Sequence, residues 1–253
     1  MPDISVAFVF LLLGVGLVAG VINTLAGGGS NLTLPALIVL GLPADVANAT
    51  NRVAVLLQCV VGTRGFDRHG MLVRTDMGPI LLPTLLGSGI GALSASYLPS
   101  TLLKPALLLT MVGMAAVILL RPSTVAPPPG EPPRPMRGNR AAWATLFFAG
   151  LYGGFVQAGV GFILIAALAG SLRYDLVRTH ALKLLCTGVL TAAALAIFVW
   201  RGQVAWVPGL VLSVGTMAGA QLAVGFALKV SQNALKMFLF VMTLCASAAA
   251  LWL

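Results

Sequence analysis

The sequence predicts an all-α polytopic membrane protein made of two inverted-topology repeats of about five hydrophobic segments each, with a short broken helix or re-entrant hairpin near the start of each repeat. Three observations carry this expectation. The 253 residues are 59% hydrophobic and only 8% charged, with a mean hydropathy of +1.02, whereas globular domains are roughly one-quarter charged. Landmark residues return at a constant spacing. Basic residues gather in alternate loops.

Apolar segments fall at about 4–25, 31–42, 46–63, 77–98 and 102–121, then at 141–158, 160–172, 178–200, 205–228 and 233–253, judged against the ~20 residues that span a bilayer. The second segment of each set is too short to cross unaided. The first set is broken at Leu25-Ala26-Gly27-Gly28-Gly29-Ser30-Asn31-Leu32-Thr33-Leu34-Pro35. Adjacent glycines let the backbone leave helical geometry, and Ser30 and Asn31 are suited to cap a new helix. Non-helical backbone at membrane depth is tolerated only where it is buried in protein or lines a cavity, so the break is a binding-site candidate. Between the sets lies a Pro/Arg-rich stretch that should be extended and solvated. The expected division is a first membrane repeat at 1–121, a cytoplasmic linker at 122–140 and a second membrane repeat at 141–253.

The repeat rests on a spacing of 132 residues, which pairs Gly27 and Gly29 with Gly159 and Gly161, Ala49 with Ala181, Phe66 and Gly70 with Phe198 and Gly202, Gly87 with Gly219, and Lys104 with Lys236. Near the start the spacing is 134, pairing Gly16 with Gly150 and Gly20 with Gly154. Charge then sets the topology. Arg64, Arg68 and Arg74 follow the third segment, and Arg121, Arg134, Arg137 and Arg140 occupy the linker two crossings later. Both regions belong on the cytoplasmic side. In the second set Arg173, Arg178 and Lys183 follow the second segment, and Lys229 and Lys236 follow the fourth. Alternation of this kind is what inverted repeats require, and it places both termini in the periplasm. The N-terminus lacks the basic region of a cleavable signal, so the first segment is expected to persist. Trp143, Trp200, Trp206 and Trp252 near segment ends read as an aromatic belt.

A net charge of +9 would suggest nucleic acid in a soluble chain, but here Lys and Arg sit between apolar runs, so no nucleic-acid partner is expected. Six acidic residues in the whole chain leave little for general acid–base work, and no catalytic or cofactor motif is present, so the reading is not an enzyme and needs no cofactor. Cys59, Cys186 and Cys245 lie in apolar runs without metal-ligand spacing. The expected partners are a small anionic solute, the lipid bilayer and, for oligomeric state, a homodimer.

Polar residues inside apolar helices are the functional candidates. Asn23, Thr24, Gly28, Gly29, Ser30, Asn31 and Thr33 surround the first break; Gln157, Gly159 and Gly161 mark the second. Free amides after each break would attract an anion, or the small residues would only permit close packing. Packing is the preferred reading for Gly16, Gly20, Gly87, Gly89 and Gly91. Asn48, Thr50, Asn51 and Arg52 form a second cluster, set against His180 and Lys183 by the repeat. Arg52 and Lys183 would either hold an oxyanion or snorkel to the interface. His180 would relay a proton or simply be solvated. Gln58 lies two turns beyond Asn51 and would face the same space.

The chain resembles the sulfite exporter TauE/SafE family, also called the toluene-sulfonate uptake permease family. The resemblance is carried by Gly16-Leu17-Val18-Ala19-Gly20, Gly27-Gly28-Gly29, Leu34-Pro35-Ala36-Leu37, Gly41-Leu42-Pro43 and Ala47-Asn48-Ala49-Thr50-Asn51, with Gly150 through Gly161 and Ala181-Leu182-Lys183 in the second half. It implies an inner-membrane carrier of bacteria or archaea that moves sulfite, sulfonates or related anions, usually outward. The long Arg/Pro-rich linker departs from the family pattern.

Overall fold

The computed structural model describes residues 6–99, 101–103, 105–106, 109, 133–136 and 138–230. The fifth segment of the second set, nearly all of the fifth segment of the first and most of the linker lie outside the described residues, and with them Lys104, Arg121, Arg137, Lys236, Cys245 and Trp252.

Among the described residues every regular element is helical. In order these are α1 (Val6–Leu25), α2 (Ser30–Val39), α3 (Ala44–Arg68), a 3-10 turn at Arg74–Asp76 leading into α4 (Met77–Tyr97), α5 (Arg140–Phe155), α6 (Val160–Ile165) widening into a π-helical turn at Ala166–Ser171, α7 (Leu176–Trp200) and α8 (Trp206–Lys229). Among the described residues four stretches are long and apolar enough to cross a membrane: Val6–Leu25, Arg74–Tyr97, Leu176–Trp200 and Trp206–Lys229. α3 matches α7 at 25 residues but carries Asp45, Arg52, Arg64, Asp67 and Arg68. It runs past the apolar segment expected at 46–63 because charged residues with straight side chains keep good helix propensity. Termination waits for Gly70, whose φ of +68° a glycine adopts without strain.

Helix ends recur at fixed spacings. α3 and α7 begin at Ala44 and Leu176, and Arg74–Tyr97 and Trp206–Lys229 stand in the same relation, 132 residues apart. Around the breaks the spacing is 130: α1 and α5 end at Leu25 and Phe155, and α2 and α6 begin at Ser30 and Val160. The two-residue difference falls within the short helices, where the later one broadens into its π turn, a form that accommodates inserted residues. The glycine pairings at 132 and 134 therefore differ from the pairing of helix ends.

Packing is crosswise. α1 lies along α8 and α4 along α5, while α3 sits beside α7 and α8. Both crosswise seams are backbone to backbone. A Cβ added at Gly16 or Gly20 would strike main-chain atoms of Leu212, Gly215 and Thr216, and one at Gly87 or Gly91 would strike those of Phe147 and Leu151. Such approach is what small residues permit between membrane helices. Gly89 departs from this expectation and faces open space. Cys59 and Cys186 are buried free thiols within the core, and Trp143, Trp200 and Trp206 are exposed near helix ends.

Candidate functional site

Two of the places where the chain leaves helical geometry meet. In the first break Gly27 takes φ +100°; in the second Gln157 and Gly159 take +68° and +75°. A left-handed backbone costs an ordinary L-residue about 1–2 kcal/mol, so Gln157 is held there by its surroundings. A Cβ placed on Gly27 would strike Gly161, and one on Gly161 would strike Gly27. The breaks are thus in direct main-chain contact, with the Phe162 ring edge 2.9 Å from where a Cβ of Gly28 would lie. No gap separates them at this point, so the arrangement is closed. An open apolar groove of about 480 Å³, lined by Gly91, Ser94, Phe148, Leu151, Tyr152, Phe155 and Ile163, lies on the α4 and α5 side of the second break.

Each broken helix ends in carbonyls that the next residues cannot satisfy. A cation from the opposite set of helices takes them. Arg52 on α3 donates from its two terminal nitrogens to Gly153 O at 2.9 Å and Gly154 O at 2.6 Å, with a longer contact to Phe155 O at 3.4 Å. Its guanidinium lies 4.9 Å from the centre of the Phe198 ring. Lys183 on α7 donates from Nζ to Asn23 O at 2.9 Å and Thr24 O at 2.6 Å, the corresponding end of α1. Both side chains are fully or almost fully buried, at 0% and 1% exposure. Neither snorkels outward. Positive charge at a helix C-terminus is favourable because the macrodipole leaves that end negative.

Around these caps the polar residues form short chains. Asn51 donates from Nδ2 to Ser30 Oγ at 3.0 Å and accepts from Thr33 Oγ1 at 2.6 Å, joining α3 to the first turn of α2. Asn48 Nδ2 donates to Phe155 O at 3.0 Å. Gln58 accepts from Asn23 Nδ2 at 3.2 Å and donates to Thr24 Oγ1 and Gly20 O. Gln157 Nε2 donates to Thr191 Oγ1 at 2.6 Å. The expected capping by Ser30 and Asn31 does not occur: Gly29 holds the cap position with no side-chain bond, because the Ser30 hydroxyl is taken by Asn51. Gly29 is pinned against α1, at Ala19 and Asn23. Thr50 is also elsewhere, accepting from the Ala205 amide at the start of α8.

Several buried polar atoms have no partner among the described residues: Asn31 Oδ1, Asn48 Oδ1, Gln157 Oε1, Arg52 Nε and both ring nitrogens of His180. His180 is fully buried, not solvated. The amides of Gly28, Gly29 and Ser30, and of Ala158, Gly159 and Gly161, likewise find no acceptor there. Buried Arg52 and Lys183 are matched by no buried Asp or Glu among the described residues. The interior is a positive centre lined with spare main-chain donors and three spare amide oxygens.

The sequence profile of the sulfite exporter TauE/SafE family matches residues 12–250, a span that contains both breaks and both caps. The chain belongs to that family. Relatives include a probable membrane transporter protein of Haemophilus influenzae, 28% identical over 87% of this chain and 85% of the relative. The probable membrane transporter protein YfcA of Escherichia coli K12 is 27% identical over 96% of this chain and 90% of its own length. The probable membrane transporter protein ORF9 of a Sinorhizobium species is 23% identical over 96% and 92%. No solved structure matches. As a TauE/SafE family member the chain is a multi-pass membrane transporter with a small-molecule substrate and a lipid surround.

Sequence reasoning left Thr191 and Phe198 out of the site. Thr191 stands about four turns beyond the start of α7 in an apolar stretch and carried the usual signal of a hydroxyl inside a membrane helix; Phe198 gave none beyond its repeat pairing with Phe66.

A further contact ties the two sets together away from the breaks. The Tyr174 hydroxyl donates to the Asp76 carboxylate, joining the approach to α7 with the 3-10 turn before α4. Burial, together with the bond and charge of Asp76, pushes the Tyr174 phenol above its ordinary range.

Proposed function

We propose that the protein is a secondary transporter of small sulfur-containing oxyanions, sulfite or an organosulfonate, running outward across a bacterial inner membrane by alternating access. The observation that carries the reading is the charge balance at the breaks. Two buried cations and two sets of free amides converge there, and no Asp or Glu among the described residues is fully buried beside them, Asp45 near the start of α3 being half-buried. Arg52 and Lys183 neutralise the carbonyl ends of α5 and α1. The amide end of α2 stays positive, without an acceptor among the described residues for its first amides, and would take a negative solute once the breaks part.

Gly28, Gly29, Ser30, Asn31, Gln157, Gly159, Gly161 and His180 supply the contacts in this reading, with Asn48, Asn51, Arg52 and Lys183 holding the breaks in shape. Asn31 Oδ1, Asn48 Oδ1 and Gln157 Oε1 would accept from water or from the hydroxyl of a protonated oxyanion. The helices form two inverted halves, 1–121 and 141–253, joined by a cytoplasmic linker, with both termini periplasmic. The recurring helix ends and the reciprocal caps support this arrangement. No nucleotide-binding motif is present in the sequence, so the driving force is an ion gradient or the substrate's own gradient.

Liposomes loaded with sulfite and carrying the purified protein are expected to empty faster than protein-free liposomes, and the protein's melting temperature to rise with sulfite, as binding to the folded state requires. Equal emptying and no thermal shift would remove the reading. Reporter fusions at the two ends test the topology separately, since a cytoplasmic C-terminus contradicts inverted halves.

A further inference from the structure

Resting on the anion site just described, we infer that the anion is bound together with a proton and that His180 is the residue that takes it. The ring is fully buried, and neither Nδ1 nor Nε2 has a partner among the described residues. A buried neutral imidazole ordinarily fills one donor and one acceptor role, and leaving both unmade is costly. Three residues further along α7, Lys183 is committed to the carbonyls of Asn23 and Thr24. Residues three apart share a helix face, so the imidazole lies on the side of α7 that carries Lys183.

Asn48 is the comparison. It occupies the position on α3 that His180 occupies on α7, and its Nδ2 donates to Phe155 O, the last carbonyl of α5. α3 therefore meets its broken helix with a permanent amide donor. α7 carries at the matching position a ring that has two donors only when protonated.

The surrounding charge decides when protonation occurs. On α7 itself lie Lys183 and Cys186, with Arg178 paired to the capping Asp175; the neighbouring α3 brings Arg52, Cys59 and Asp45, α5 brings Arg140 at its start, and α1, α4 and α6 bring no acidic or basic side chain. A second positive charge beside Lys183 is repelled while the site is empty. An anion seated at the break supplies the missing negative charge, and a proton from water can then bind a ring nitrogen. Nothing is oxidised or reduced in this step. A monoanion loaded this way changes the net charge of the carrier not at all, and a dianion lowers it by one.

The test uses the purified full chain in weakly buffered detergent solution with a pH indicator. Methanesulfonate and thiosulfate serve as probes, because neither takes up a proton near neutrality. Close to one proton per bound anion is expected, with affinity strengthening by up to about tenfold for each unit fall in pH on the alkaline side of the transition. His180→Gln and His180→Asn are expected to bind, at whatever affinity they retain, without proton uptake. Anion binding by the wild type with no uptake and no pH dependence overturns the inference and leaves the anion site standing. Uptake that persists in both variants also overturns it. Failure of both probes and of sulfite to bind the wild type overturns the site itself.

Discussion

Removing the Arg52 guanidinium tests whether this side chain is a helix cap or a substrate ligand. In the closed structure it makes two short bonds, at 2.9 Å to Gly153 O and 2.6 Å to Gly154 O, and rests on Phe198. Hydrogen bonds involving a charged group contribute about 1.5–3 kcal/mol each, and a desolvated cation over an aromatic ring contributes about 2 kcal/mol. Relief from burying the cation offsets part of this, leaving a net loss near the ~3–5 kcal/mol typical of breaking a buried charged contact. For a chain of this size a loss of about 4 kcal/mol lowers the melting temperature by roughly 8–16 °C. Arg52→Ala should show that drop in detergent, followed by tryptophan fluorescence with no anion present. Arg52→Gln, which keeps an amide donor, should lose less. An Arg52→Ala protein that melts with the wild type and loses only its anion-induced shift would refute the capping argument and make Arg52 a direct ligand.

Gly27→Ala should be among the most damaging single changes, because it adds a side chain at φ +100° where Gly161 leaves no room; the expected result is loss of the monodisperse peak in size-exclusion chromatography. Gly70→Ala isolates the backbone part of that cost, since Gly70 has φ +68° and open space around it; it should lose only about 1–2 kcal/mol. Recovery of Gly27→Ala with a wild-type profile would mean that the breaks are not in contact. Tyr174→Phe addresses the bond to Asp76. A phenol held above its ordinary range stabilises the fold below pH ~10, the unfolded value, and that contribution fades as pH rises toward the folded value. The wild type should therefore soften in alkali more steeply than Tyr174→Phe, and superimposable alkaline melts would exclude the contact.

The breaks were legible because three consecutive glycines and an intramembrane amide are costly in hydrocarbon and have few structural uses. The polar face of α3 was legible for the same reason, down to Asn48, Asn51 and Arg52. What those residues touch was not. Arg52 meets carbonyls 101 and 102 residues away, and Lys183 meets carbonyls 160 and 159 residues away. Main-chain carbonyls have no side-chain signature, so an anion looked like the natural partner for an intramembrane cation. Thr50 shows the converse error: one helical step from Asn51 turned it toward Ala205 instead of the break. Asp76 was visible as one of only six acidic residues, but its bond to Tyr174 depends on how two distant loops come together.

The glycine seams bear on how the chain can be cut. Severed at the linker, residues 6–99 would keep α1 and α4 but lose the main-chain strips of α8 and α5 that fit them. A bare groove of that shape suits another backbone far better than lipid tails, which cannot follow it closely. Either fragment alone should therefore be degraded or scavenge a mate, and the two made together should find each other and reassemble.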